Sequence, residues 1–137
     1  MRLWASGLAA AAVMASGTPA SAEWLRAETD NFVVYGEGRQ DDLRRHAESL
    51  ERFDALMRRQ FGIGPAEGAR KLPVYLVHTR SELREIHPGL PETAAGFYSA
   101  GEIDVYSALN RRGGDDVLLH EYAHHFMYQN FPGAYPG

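Results

Sequence analysis

The chain has 137 residues, of which 45% are hydrophobic and 23% charged, and it contains no cysteine. The length allows one folded domain or part of one, and the absence of cysteine excludes a disulfide framework, a thiolate metal site and a cysteine nucleophile. The formal net charge of −4 offers no basic surface for nucleic acid or for an anionic membrane.

The first 22 residues are predicted to be a cleaved signal peptide. Arg2 precedes the apolar run LWASGLAAAAVMA, and Ala20-Ser21-Ala22 has the small-x-small form of a cleavage site. The alternative is an N-terminal helix that is retained as an anchor. Cleavage removes one basic residue, so 13 basic and 18 acidic residues remain and the formal charge becomes −5. We therefore expect an exported protein, periplasmic or secreted, without stable membrane insertion after cleavage.

A strand and then a long helix are predicted at the start of the mature chain. Residues 31–38, NFVVYGEG, are rich in β-branched and aromatic side chains and end in two glycines. From Asp41 to about Phe61, apolar residues recur at steps of three and four, which predicts a helix with one buried stripe. His46 lies beside this stripe and is expected to be a surface or boundary residue. The stripe consists of Leu43, Ala47, Leu50, Phe53, Met57 and Phe61.

The second half of the chain predicts further strands and helices in a mixed order. Residues 72–79, LPVYLVHT, form an apolar run that is typical of a central strand. A short helix is expected from Ser81 to a stop before Pro88, and a hairpin over 96–107. A last helix should run from about 117 to 130, capped by Asp115 or Asp116. The predicted fold class is α+β, with a small mixed sheet and a long packing helix.

The last predicted helix carries the pattern H-E-x-x-H as His120, Glu121 and His124. Residues four apart lie about 40° apart around a helix, so both imidazoles project from one face and can bind one ion. Glu121 is turned about 100° from His120, where it can reach a metal-bound water and act as general base. The pattern therefore predicts Zn²⁺ held by His120 and His124, with Glu121 as the catalytic residue.

The surroundings of the pattern favour a site over a chance match. No Pro or Gly interrupts the helix, and a strand-like hairpin precedes it. His125 is turned about 100° from His124, so it is expected to pack or to support the site without binding the ion. The alternative is a surface helix with coincidental histidines. The expected apolar side of the helix consists of Leu119, Tyr122, Ala123 and Phe126.

The segment DDVLLHEYAHHFM resembles the active-site helix of zincin metallopeptidases, and the preceding AGFYSAGEIDVYS resembles their strand-rich segment. The resemblance extends from Ala95 to the end of the chain. The metzincin pattern would require a glycine at position 127 and a histidine at position 130, where this chain has Met127 and Asn130. The chain is thus similar to the gluzincin type, and to small exported bacterial peptidase-MA-like proteins of uncharacterised function.

This resemblance implies a zinc-dependent hydrolase, a metallopeptidase that binds one Zn²⁺ and acts on a peptide or protein substrate. One strand of the 96–107 hairpin would then be the sheet edge on which an extended peptide lies. In gluzincins the third ligand is a Glu on a later helix, and NFPGAYPG resembles the loop that precedes it. Residues 23–137 are accordingly expected to be the N-terminal part of a zincin-like domain, truncated before that Glu. Asp104 in the hairpin is the candidate for an upstream ligand instead.

A second hypothesis comes from a different functional class. The chain would be a non-catalytic periplasmic binding or scaffolding domain that keeps the zincin lobe but has an incomplete site. A hydrolase of non-peptide substrates would use the same residues, because zinc-bound hydroxide attacks many carbonyl groups.

Overall fold

The computed structural model describes residues 23–65, 67–99, 105–109 and 115–134. Within these ranges the chain forms a small α+β domain, with five strands in one mixed sheet and three helices. The predicted leader over 1–22 and the candidate ligand Asp104 lie outside the described residues. The elements are β1 (Leu25–Glu28), β2 (Phe32–Gly36), α1 (Gln40–Phe61), β3 (Leu72–Val77), α2 (Arg80–Ile86), β4 (Gly96–Ser99), β5 (Val105–Leu109) and α3 (Asp116–Asn130).

The strands are arranged in the order β1-β2-β3-β5-β4. The three central strands β2, β3 and β5 run parallel, whereas β1 and β4 pair antiparallel to their neighbours at the two edges. The predictions of a central strand at 72–79 and of a hairpin over 96–107 are confirmed, as are the long helix, the short helix and the last helix. Strand β1 was not predicted: Leu25 and Ala27 alternate with the exposed Arg26 and Glu28, but the run has only four residues and one fully buried side chain.

One core holds α1 and α3 against the same face of the sheet. Alternate strand residues such as Val34 and Val74 meet the α1 stripe, in which Leu43, Ala47 and Leu50 are fully buried. Burying such side chains stabilises the fold by about 1.5–3 kcal/mol each, relative to leaving them exposed. A second, smaller cluster of Val77, Leu83 and Phe97 packs α2 on the sheet. These clusters use opposite sets of strand residues, so α2 and α3 cover opposite faces.

Helix α2 begins with a capping box. The Thr79 side chain accepts a hydrogen bond from the backbone N–H of Glu82, at 3.2 Å, and the Glu82 carboxylate accepts one from the backbone N–H of Thr79. The backbone N–H of His78 also donates to this carboxylate, at 2.8 Å. These N–H groups are the main reason that the pKa of Glu82 lies below its ordinary value.

The start of α3 differs from the prediction. Asp115 occupies the N-cap position, but its side chain makes no capping hydrogen bond. Its carboxylate instead lies 2.7 Å from Nδ1 of His46 on α1. His46 is therefore a boundary residue, as predicted, but one that ties the beginning of α3 to the long helix. The tertiary contact outcompetes the local cap because both partners are largely shielded from water.

The buried side of α3 also lies slightly away from the predicted one. Leu118, Tyr122 and Phe126 are the buried residues, whereas Leu119 and Ala123 are only half-buried. The side of α3 that faces the core is therefore formed by residues four positions apart in the sequence. Among the described residues, no helix combines the length and the hydropathy that crossing a bilayer would require.

Candidate metal centre on helix α3

The H-E-x-x-H residues lie on α3, which is an uninterrupted α-helix. It runs without Pro or Gly from Asp116 to Asn130 and ends where Phe131 donates its backbone N–H to the Met127 carbonyl, at 2.8 Å. The side chain of Asn130 also donates to the Phe126 carbonyl, at 2.9 Å. On the opposite side of the helix, Leu118, Tyr122 and Phe126 are buried in the core. The two histidines of the motif are therefore directed away from the core, on a helix whose other side is fixed by packing.

His120 and His124 converge through their Nε2 atoms, which lie 3.2 Å apart. The ring centroids are 4.8 Å apart, so the rings approach each other at these nitrogens. Two nitrogens about 2.05 Å from one tetrahedral zinc ion lie about 3.3 Å apart. The observed separation therefore fits a shared ion, and it also fits one N–H···N hydrogen bond between two neutral rings.

Both histidines have the exposure that metal binding requires. His120 is exposed and His124 is half-buried. Burial, and to a lesser extent the neighbouring His120, lowers the pKa of His124 below its ordinary value. His124 is consequently neutral at pH 7, and a neutral imidazole is the form that binds a metal.

Glu121 lies on a different flank of the helix from the histidine pair. It is half-buried, and this desolvation raises the pKa of its carboxyl group above the ordinary value, opposed in part by His120. A raised pKa makes the ionised carboxylate a stronger base than an exposed glutamate. No hydrogen bond or ion pair of Glu121 occurs within the part of the chain that the structure describes, so the carboxylate keeps its capacity to accept a proton.

His125 has a separate environment. Its ring lies 5.2 Å from the Tyr98 ring of β4 and 5.7 Å from the Tyr122 ring, between centroids. Glu121 and His125 are four residues apart and therefore lie about 40° apart around the helix. The contact with Tyr98 thus shows that the flank carrying Glu121 is the one turned towards β4.

Strand β4 is an edge strand beside this helix. It pairs with β5 on one side, and no strand among the described residues pairs with its other side. Helix α3 packs against both strands. Because an edge strand exposes backbone N–H and C=O groups, β4 can accept an extended peptide next to the Glu121 flank.

The described residues contain no cluster of three or more His, Asp or Glu side chains suited to a metal ion. His120 and His124 are thus two candidate ligands, and a third is not among these residues. A pocket of about 650 Å³ lies between α3, the end of α1 and the loop that follows α1, lined in part by Arg58, Tyr122 and His125. Neither ligand histidine nor Glu121 lines it, so this cavity is separate from the candidate centre.

A buried polar network beneath α3 was missed at the level of sequence. The Tyr122 hydroxyl donates to the carboxylate of Asp54 on α1, and Arg58 Nε lies 3.0 and 2.9 Å from the two oxygens of that carboxylate. Burial, then the hydrogen bond to Asp54, raises the pKa of Tyr122 far above its ordinary value, so the phenol stays protonated. Asp54 continues the apolar stripe, four residues after Leu50 and three before Met57, and this was the available signal.

Comparison with known proteins gives no assignment for this chain. No protein-family model matches it, and no curated protein does so either.

Proposed function

We propose that the protein is a zinc-dependent hydrolase, a metallopeptidase of the gluzincin type. His120 and His124 would hold the ion, and the 3.2 Å separation of their Nε2 atoms is the observation that carries this proposal. When bound, zinc supplies Lewis-acid activation of a water molecule and of the scissile carbonyl. The described residues fit the ion as two of the three protein ligands that catalytic zinc sites use.

Glu121 acts as the general base. Its carboxylate takes a proton from the attacking water and returns it to the nitrogen of the leaving amine, so the group ends the cycle as it began. The raised pKa from half-burial supports this role, because it brings the basicity of the carboxylate closer to the working pH.

The substrate is an extended peptide bound along β4. No strand among the described residues pairs with the outer edge of β4, and the Tyr98–His125 contact turns the Glu121 flank towards this strand; both observations support this placement. Pairing along an edge uses main-chain hydrogen bonds, which hold the chain in register with little dependence on its sequence. We further propose, from the resemblance to gluzincins, that the third ligand is a glutamate C-terminal to residue 137 and that the described domain is a zincin-like N-terminal lobe.

The proposal is tested by replacing Glu121→Gln and measuring zinc binding and casein hydrolysis side by side. We expect zinc affinity to be retained and hydrolysis to fall by about 10²- to 10⁴-fold, the usual contribution of a general base. Asp116→Asn, an exposed acidic residue on the same helix, is the matched control and should hydrolyse casein like the wild type. Equal hydrolysis by the Glu121→Gln variant and the wild type would refute the mechanism.

The ligand assignment has its own matched pair. His124→Ala is expected to abolish zinc binding, whereas His125→Ala should retain it, because the His125 ring contacts Tyr98 and Tyr122 instead of the His120 ring. Loss of zinc in both variants, or in neither, would contradict the assignment. Zinc binding without any hydrolysis in the wild type would favour the non-catalytic binding or scaffolding domain.

A further inference from the structure

A buried carboxylate on α1 contacts the helix that carries the candidate metal centre. Asp54 is 5% exposed and is the only buried charged or polar residue within the described ranges. A carboxylate removed from water costs free energy unless it is paired and hydrogen-bonded. Here the guanidinium of Arg58 and the hydroxyl of Tyr122 provide these partners.

The network continues beyond these three side chains. Nη1 of Arg58 donates to the Gly64 carbonyl at 2.7 Å, and the guanidinium carbon lies 5.7 Å from the centre of the Phe126 ring. The Tyr122 ring itself packs edge-on against Phe32 and Phe53. The hydrogen bond to Asp54 is directional, so it adds an angular constraint to the apolar contacts, which are non-directional.

The position of Tyr122 determines what such a rotation would move. Tyr122 is turned about 160° from both His120 and His124 and about 100° from Glu121. Side-chain atoms at about 6 Å from the helix axis move by about 2 Å when a helix rotates by about 20°. A catalytic constellation tolerates displacements of only about 0.5 Å.

A second polar contact fixes the same helix nearer its beginning. Nδ1 of His46 lies 2.7 Å from the Asp115 carboxylate. His46 and Asp54 are separated by about 12 Å along α1, and Asp115 and Tyr122 by about 10 Å along α3. The two contacts therefore join two helices that run in the same direction, and together they define both the tilt and the rotation of α3.

We propose that Asp54 is a positioning residue that, through Tyr122, fixes the rotation of α3, and so sets how the Glu121 flank faces the edge strand β4 and where His120 and His124 lie relative to the sheet. Apolar packing of similar volume would stabilise the fold about as well as this buried ion pair, so what the polar network adds is a fixed direction of contact between α1 and α3. This inference rests on the proposed metal site. The two histidines share one helix and rotate together, so loss of the network leaves their mutual spacing intact and changes their placement relative to the sheet.

The test measures that placement directly. Cu²⁺, which binds imidazole pairs most strongly among the common divalent ions, is added to the protein as a paramagnetic probe at His120 and His124. The chain has no cysteine, so Glu85→Cys introduces a unique attachment point for a nitroxide on exposed α2, across the sheet from α3. Pulsed electron–electron double resonance then gives the distribution of distances between the copper ion and the nitroxide.

The wild-type background should give one narrow distribution. In Tyr122→Phe and Asp54→Asn we expect its centre to shift or its width to grow by about 2 Å, the displacement for a rotation of about 20°. The double variant should resemble the single ones, because the two residues act through one bond. Glu51→Gln is the matched control: Glu51 is also on α1 and accepts two hydrogen bonds from Asn31, both at 2.7 Å, and it makes no hydrogen bond to α3 among the described residues.

Each outcome decides between the two proposals. Thermal unfolding is recorded in parallel, and both Tyr122→Phe and Glu51→Gln should lower stability, since each weakens a hydrogen bond to α1. Only Tyr122→Phe should change the distance distribution. An unchanged distribution in Tyr122→Phe would overturn the positioning role and leave the metal site intact. A Cu²⁺ signal that survives His124→Ala would overturn the metal site, and the positioning role with it.

Discussion

Replacing Asp54 with alanine is expected to destabilise the domain far more than removing an exposed acidic residue from the same helix. The substitution leaves the hydroxyl of Tyr122, a residue that is 3% exposed, without its acceptor, and takes the carboxylate from Arg58. An unsatisfied buried hydroxyl costs about 1–3 kcal/mol. Breaking a buried ion pair costs about 3–5 kcal/mol in total.

Part of this cost is relieved in the variant. The Arg58 side chain is 17% exposed and keeps its hydrogen bond to the Gly64 carbonyl, so water can solvate some of its charge. We therefore expect about 3 kcal/mol, the lower end of the range for a broken buried pair. This is a large share of the roughly 5–15 kcal/mol by which such domains are stable. At about 4 °C per kcal/mol, the midpoint of thermal unfolding should fall by roughly 12 °C.

The assay is urea and thermal unfolding, followed by circular dichroism. Asp42→Ala is the control, because Asp42 pairs with Arg45 at the surface of the same helix and such pairs contribute about 0–1 kcal/mol. If Asp54→Ala lowers the free energy of unfolding by no more than Asp42→Ala does, the buried network has no energetic role and the reasoning is refuted.

Two further predictions concern pH. Glu82→Gln should cost about 0.5 kcal/mol at pH 7 through the weakened capping box. The backbone N–H groups of His78 and Thr79 lower the pKa of Glu82. The stability that ionised Glu82 contributes is therefore present above the ordinary carboxyl pKa and is lost as the pH falls through the lowered pKa. A destabilisation by Glu82→Gln that persists in full at pH 2 would contradict this prediction. Glu121→Gln should stabilise the metal-free protein at pH 7, because half-burial raises the pKa of Glu121 and wild-type stability declines as pH rises through that value. Urea midpoints at pH 2 and 7 check the first prediction and midpoints at pH 3 and 7 the second, for which a gain at pH 3 as large as that at pH 7 would be contradictory.

The local elements were predictable because their signals lie within short segments. The spacing of Leu43, Ala47 and Leu50 predicts the long helix, and it is this side of α1 that is buried. The apolar run at 72–79 predicts β3, which is the central strand. Strand β1 was not predicted in this way, since its alternation covers only four residues with one fully buried side chain, and pairing with β2 holds it in the sheet.

The polar contacts between helices were not predictable from the same reasoning. Asp115 has the residue type and position of a helix cap, yet its carboxylate contacts His46, 69 residues away. Asp54 lies on the buried stripe of α1 and Tyr122 on the expected apolar side of α3, but the two are 68 residues apart and neither helix by itself indicates that they pair. Such pairs form only when two helices pack side by side on one sheet, and no local pattern records that arrangement.

The amino-acid sequence by itself determined that His120, Glu121 and His124 share one helix. It also determined that the two imidazoles project from one face, because helical periodicity depends only on residues three and four apart. Only the tertiary structure decided which way this face points. Burial of Leu118, Tyr122 and Phe126 turns the histidines away from the core, and the contact of His125 with Tyr98 turns the Glu121 flank towards β4. That orientation follows from packing between distant segments, where the burial of apolar area and the pairing of one buried carboxylate select a single rotation of the helix.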